Sequence, residues 1–391
     1  MALVINTNVS SLTAQSNLNK TQSMLSKATE ALSSGLKINS AADNAAGYAI
    51  SQRFTTQIGG LDQANSNAND AISLAQTAES ALSQITSNLQ AVRDLAVQSA
   101  NGTYTSSDRS AINTTVQQYL SEVTRIANQT TFNGQNVLNG STSDITFQVG
   151  ANVGQTITVG LGNGVRADQL GGAVASTSTD NLSGAFVDAS GNAETVQLSG
   201  ISIDGVKLSG TATSAQDIVD AINSTDFSSN SDFTLSGSTS AVSISAALND
   251  KGGIDIIQSG NTSAVSATFT LNSSAVLAST TGTAGATGTL AGGDVSTVSD
   301  SNMLIARIDQ ALSTVSNFSS NLGAIQNRFQ STISTLTAQS DNLTSAQSTI
   351  QDANFAAETA DLSKANVLQQ AGISVLATAN SQPQQILKLL Q

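Results

Sequence analysis

The side chains that ordinarily carry chemistry are largely missing from this chain of 391 residues, which has no Cys, no His and no Trp. Without Cys there is no disulfide framework and no thiolate to serve as ligand or nucleophile. Without His, the usual zinc sites, Ser-His pairs and acid–base couples near neutral pH are ruled out. Carboxylates remain. Asp250-Lys251-Gly252-Gly253 and Asp255 bring acidic oxygens beside a glycine turn, as a calcium loop does, but without the D-x-D-x-D-G ligand spacing. They read as a solvated acidic surface. No H-E-x-x-H stretch occurs. The sequence therefore predicts no catalytic, cofactor-binding or metal residues, no cofactor and no enzymatic activity.

What the chain has instead is regular apolar spacing. Positions 61, 64, 68, 71, 75, 78, 82, 85, 89, 92 and 96 are Leu, Ala, Ala, Ala, Ala, Ala, Leu, Ile, Leu, Val and Ala. Spacings of three and four alternate throughout, which is the seam of a coiled coil. Ile308, Val315, Leu322, Phe329, Leu336, Leu343 and Ile350 recur every seven residues, with Leu304, Ala311, Phe318 and Ile325 at alternate positions. The single proline, Pro383, interrupts neither run. A helix over 303–350 is roughly 70 Å long. Leu61, Leu82, Ile85, Leu89, Ile308, Val315, Leu322, Phe329 and Leu336 are the expected packing residues of this rod.

The extreme ends repeat the pattern more weakly. Leu18, Leu25 and Leu32 are one heptad apart, with Ala14, Thr21 and Ala28 between them. Phe355, Leu362 and Leu376 share a frame that Gln369 breaks. Such narrow seams make marginal helices in water. The expectation is that 1–45 and 352–391 are largely disordered in the free monomer and pair only against other copies.

A third helix is predicted over 107–128, with Ser107 or Asp108 as its cap. A turn follows at Asn133-Gly134, then a β-hairpin over 145–161. Asn101-Gly102 and Gly35 read as helix ends. Between 173 and 295 the composition shifts to Gly, Ser, Thr and small apolar residues. This block holds 11 acidic residues against Lys207 and Lys251, so 2 − 11 = −9 of the net −13 lies here. Short strands are expected at 196–198, 201–203, 206–208, 242–244 and 254–257, a helix at 214–223, and a linker over 281–293. The fold class is thus mainly α with a β-rich insertion: long antiparallel coiled-coil arms from both termini, a β-hairpin, and a central α+β surface domain. The acidic balance argues against nucleic-acid or anionic-membrane partners. Met1 to Ile5 lack the basic and long apolar regions of a cleavable signal, so export is expected to use a route that does not read one.

Several segments resemble bacterial flagellin. They are Ile5-Asn6-Thr7-Asn8, Ser34 to Asp43 (SGLKINSAAD), Asn69 to Glu79 (NDAISLAQTAE), Arg93 to Gly102 (RDLAVQSANG), Phe132-Asn133-Gly134, Leu322 to Phe329 (LGAIQNRF) and Val367 to Gly372 (VLQQAG). The similarity covers about 1–170 and 296–391, and more weakly 197–258. It implies a self-assembling filament subunit with 1–45 plus 352–391 as inner core, built on Leu18, Leu25, Leu32, Phe355, Leu362 and Leu376. It assigns 46–172 plus 296–351 to an outer tube and 173–295 to the exposed surface. It further implies unfolded type III export, an export chaperone, a filament cap protein, a hook-associated junction protein, and protofilament switching at the hairpin. An innate immune receptor contact aligns with Leu89, Gln90, Arg93, Asp94, Leu95 and Gln98. Ala91 and Thr115 depart from the usual Arg and Glu, which predicts weaker recognition. The alternatives are a hook–filament junction protein with similar arms, and an adhesin acting through the insertion.

Overall fold

The computed structural model describes residues 8–171 and 289–389 and, between them, 174–178, 196–198, 201–203, 206–225, 243–248, 253–259, 266–271 and 275–281. The segment Ile5-Asn6-Thr7, most of the expected linker (282–288), Val242, and Asp250 to Gly252 lie outside these residues. Six helices are described: α1 Val9–Ser34, α2 Ala45–Ser99, α3 Ser106–Gln129, α4 Ala215–Ser224, α5 Val298–Gln351 and α6 Phe355–Leu389. Both expected rod helices are longer than their seams, because polar helix-forming stretches extend them.

Local chemistry sets the ends. The Asn8 side chain accepts a hydrogen bond from the Ser11 amide at 3.1 Å to start α1, and Gly35 ends it at φ 74°. That left-handed backbone is open to Gly at little cost. The expected cap of α3 needs correction. Thr105 caps it, accepting from the Asp108 amide at 3.3 Å, while the Asp108 carboxylate accepts from the Thr105 amide at 3.0 Å. Asp108 sits three residues inside the helix, where its side chain reaches back to the cap as in a capping box. Ser214 and Asp217 do the same for α4.

The chain divides into two compact units. The first comprises Met1–Ala68, Gln148–Thr156 and Ser331–Gln391. Here α1 lies along α6, burying Ala14, Thr21, Ala28 and Ala31 against Ala365 and Ala379. The terminal arms are therefore ordered helices in the structure, where the sequence predicts disorder outside an assembly; each shelters the other's small residues. Gln369, which breaks the heptad frame, donates to the Gln22 side chain at 2.7 Å. Asn8 donates to the Ala379 carbonyl and Ser11 to Asn380, both at 2.7 Å. The connection from α1 to α2 is strapped to the α5–α6 junction. Lys37 N–H donates to Gln351 O at 2.7 Å and Ala353 N–H to Gly35 O at 2.9 Å. Further along, Leu61, Ala64, Leu336 and Leu343 form a core in which α2 meets α5. Gly60 is required here: a Cβ on it meets the Ala151 methyl at 2.9 Å.

The second unit comprises Asn69–Phe147 and Ile157–Gln330. Ala71, Ala75, Ala78, Leu82, Ile85, Leu89, Val92 and Ala96 form one buried face of α2. Opposing buried residues come from α5 (Ile308, Val315, Leu322, Phe329) and α3 (Val116, Leu120, Val123, Ala127). The α2–α5 pairing is antiparallel: Gln326 donates to Glu79 at 2.8 Å, and Arg93 reaches Asp309 at 2.7 Å. Arg109 is buried and donates to the Ser99 and Asn101 carbonyls at 2.8 and 3.1 Å, closing the end of α2. A tight hairpin joins β1 (Thr131–Phe132) to β2 (Gln135–Asn136), with Asn133 and Gly134 at φ 49° and 79°. Positive φ at both centres is the type I′ geometry that Asn-Gly favours. The larger hairpin pairs β3 (Ile145–Gln148) with β4 (Thr156–Val159). Phe147 meets Phe329 edge to face, with ring centroids 5.8 Å apart.

The insertion carries its own core, made of Leu198, Ile201, Ile203, Leu208, Ala212, Ile218, Val219, Ile222, Ala246, Ile254 and Ile256. Its strands are β5 (Val174–Ser178), β6 (Val196–Gln197), β7 (Ile201–Ile203), β8 (Val206–Lys207), β9 (Thr211–Ala212), β10 (Ser243–Leu248), β11 (Ile254–Ser259), β12 (Ser266–Leu271) and β13 (Ala275–Thr281). They form sheets in the orders β10-β11-β5 and β13-β12-β7-β8, plus a β6-β9 pair. The five expected strands and the helix match. β5, β9, β12 and β13 were not expected, since their Ser/Thr/Ala-rich sequences carry little apolar alternation.

Two tests follow from these contacts. Leu89→Ala lowers the unfolding free energy of the unpolymerised chain by about 2–5 kcal/mol, because it empties a sealed site. Leu12→Ala, on the exposed side of α1, changes it by less than about 0.5 kcal/mol; urea titration reads both. The second test concerns acid. Hydrogen bonds from Ser40, Thr105 and Thr213 hold the Asp43, Asp108 and Asp217 carboxyls below the ordinary 3.8. A depressed folded value means their stabilisation is complete above 3.8 and is lost as pH falls through the lower folded value. Amide exchange in the first turn of α3 accelerates over that range, and Asp108→Asn removes the pH dependence.

Candidate assembly surface

The arm pair has an inverted distribution of apolar side chains. Its seam is closed mainly by alanines, while larger residues face outward. Val9, Leu12, Met24, Phe355, Val367, Leu368, Ile373 and Val375 are exposed, from 41% at Leu368 to 69% at Phe355. A soluble helix pair normally turns such residues inward and leaves its outer face polar. An apolar stripe of this length marks a surface that another protein covers. Beside it, Lys27 and Lys364 face Glu358 and Asp361 around a notch of about 230 Å³ floored by Ala28 and Ala365.

The expected inner-core residues distribute unevenly. Leu18, Leu25, Leu32, Leu362 and Leu376 are half-buried, whereas Phe355 is exposed. The heptad frame therefore locates the inner rim of the pair but not its outer stripe. Val9, Leu12, Met24, Val367, Leu368, Ile373 and Val375 were not singled out. Their signal was available as the apolar residues left over once the frame is filled. The rod residues Leu61, Leu82, Ile85, Leu89, Ile308, Val315, Leu322, Phe329 and Leu336 are all buried.

The expected receptor patch is split by the fold. Leu89 is sealed in the rod core. Gln90, Asp94 and Gln98 are exposed, and Leu95 is half-buried. Arg93 makes a two-pronged ion pair with Asp309, at 2.7 and 3.3 Å, and this hydrogen bonding raises its pKa. The pair is largely solvated on both sides, so its contribution is about 0–1 kcal/mol. Gln98 donates to the Tyr104 hydroxyl at 2.9 Å.

Two grooves open on the second unit. One, of about 390 Å³, lies between Ser245, Ala246, Ala247 and Ile257 of the insertion and α5 residues including Ile305 and Asp309. The other, of about 450 Å³, runs past Asp144, Phe318, Asn321 and Arg328. Neither gathers the convergent titratable groups of a catalytic site. Among the described residues there is no cluster of three metal-ligating acids, and no helix is long and apolar enough to cross a membrane.

Residues 5–143 match the bacterial flagellin N-terminal helical region, and 305–390 match the bacterial flagellin C-terminal helical region. The chain is 36% identical to the B-type flagellin of Pseudomonas aeruginosa, the alignment spanning the whole of both chains. It is also 36% identical to a flagellin of Salmonella typhimurium over the full length of both. Among solved structures it is similar to FliC from Burkholderia pseudomallei, at 29% identity and a TM-score of 0.39, covering 66% of this chain and 99% of that one. The flagellar junction protein FlgL from Legionella pneumophila is similar at 16% identity and a TM-score of 0.42, covering 77% and 99%. Helical regions at both ends, matched in order and joined by full-length relatives, make this chain a member of the bacterial flagellin family.

Proposed function

We propose that the chain polymerises through its paired terminal helices into the extracellular filament of the bacterial flagellum, as a structural subunit without enzymatic activity. The carrying observation is the outward apolar stripe of α1 and α6, from Val9 and Leu12 to Ile373 and Val375. Burial of such side chains against neighbouring copies stabilises by about 1.5–3 kcal/mol each. Residues 1–45 plus 352–391 form the inner core of that filament, 46–172 plus 296–351 the surrounding tube, and 173–295 the outer surface. The acidic insertion suits a surface facing water.

Export as an unfolded chain, with a chaperone holding the C-terminal arm and a cap protein guiding folding at the tip, fits the same chemistry. No Cys means no misplaced disulfide, and one proline leaves almost no slow isomerisation. A hook-associated junction protein joins the filament base through similar arms. The hairpin β3–β4 supports switching between two near-equal packings with neighbouring copies.

Seeded polymerisation tests the reading. Leu12→Glu and Val367→Glu leave the urea midpoint of the rod unchanged yet abolish long filaments in electron micrographs. Persistent long filaments defeat the assignment of this stripe, and only short assemblies of the native chain favour a junction role. For the innate immune receptor, Gln90, Arg93, Leu95 and Gln98 offer the accessible part of the patch. Ala91→Arg adds a hot-spot type side chain and raises receptor activation by monomer; equal potency counts against the idea that Ala91 weakens it.

A further inference from the structure

Strand β10 ends the three-stranded sheet β10-β11-β5 and pairs with β11 alone. Its other edge meets an unusual neighbour, the side chain of Asn223 near the end of α4. The Asn223 Oδ1 accepts from the Ala246 amide at 2.7 Å, and its Nδ2 donates to the Ala246 carbonyl at 2.9 Å. Both backbone groups of Ala246 therefore point away from β11, which makes Ala246–Ile256 a non-hydrogen-bonded pair of the ladder. By alternation, Ile244 and Leu248 present their backbone groups to the same side. Asn223 thus makes the two hydrogen bonds that an added strand would make at the middle of this edge. No other side chain among the described residues bonds to Ile244, Ala246 or Leu248.

The segment so covered is one that a second copy fits. Ser243 to Leu248 reads Ser-Ile-Ser-Ala-Ala-Leu, without charge or proline. An uncharged, proline-free edge is a template for pairing with its own kind. Antiparallel pairing about Ala246 is self-complementary, so two copies can satisfy each other by a two-fold operation. The usual protections of an edge, a lysine or a proline along the strand, are absent from these six residues. We propose that Asn223 is a guard residue: its carboxamide occupies the β10 edge and prevents that edge from joining antiparallel to β10 of a second copy. This contact keeps the insertion from becoming a second association site in a chain whose arms already associate.

Sedimentation velocity on the unseeded full-length chain tests the guard. Asn223→Ala strengthens concentration-dependent self-association by about tenfold or more, the scale of two hydrogen bonds transferred from the guard to a partner strand. Asn223→Asp keeps the acceptor and loses the donor, so it gives a smaller effect. Ile244→Pro removes an outward donor without breaking a bond to β11. Added to Asn223→Ala it restores the monomer, and alone it changes nothing. A merely structural Asn223 lowers the melting temperature of the insertion without association, and that result overturns the proposal. If Asn223→Ala does not fold, Asn223→Asp decides: a folded, strictly monomeric Asn223→Asp, unchanged in Ala246 amide exchange, also overturns it. Association that Ile244→Pro leaves intact does so as well, by placing the contact elsewhere.

Discussion

A narrow apolar stripe is the constraint on which this protein depends. Most of its seam positions are alanines, and hydrophobic stabilisation scales with the area removed from water. A seam of this kind holds helices close but supplies little per residue. Length compensates in α2 and α5, where Leu82, Ile85, Leu89, Leu322 and Phe329 are added at intervals and fully enclosed. The terminal arms have no such additions on their shared face. They close on Ala14, Ala28, Ala31, Ala365 and Ala379 and leave their larger side chains outside.

That difference separates folding from assembly within one chain. A rod whose large residues face inward is complete by itself. An arm pair whose large residues face outward is complete only when another surface covers it. The polar ties between the arms, from Gln22 to Gln369 and from Asn8 to Ala379, set their register without consuming the outer stripe. This is the economy of polar seam positions in coiled coils, which specify pairing more than they strengthen it. The insertion follows a third course, with a separate β-rich core and an acidic exterior.

The same economy explains the quiet chemistry of the molecule. The shifted carboxyls, Asp43, Asp108 and Asp217, each serve a turn or a helix start. Arg109 closes the end of α2, and Arg93 joins α2 to α5. Every charged group with a clear partner acts on the backbone or on a helix pair. None converges with others on a cavity, as acid–base chemistry demands.

The sequence by itself determined the helical rod, because a seam repeated over many turns leaves only one face to bury; the buried set from Leu61 to Leu336 is legible residue by residue. It also determined the Asn133-Gly134 turn, the hairpin and the α4 cap, where local backbone chemistry decides. Only the tertiary structure decided that α1 and α6 shelter one another, that Gln369 is a tie rather than a flaw, and that Phe355 faces outward. Heptad spacing says which residues share a face, but two stripes on one helix compete, and the partner's shape selects between them. The edge role of Asn223 was equally invisible, since a hydrogen bond to Ala246 joins residues that no local period connects. Nor did the Ser/Thr-rich strands β12 and β13 announce themselves: their pairing rests on backbone hydrogen bonds, which every residue but proline can make.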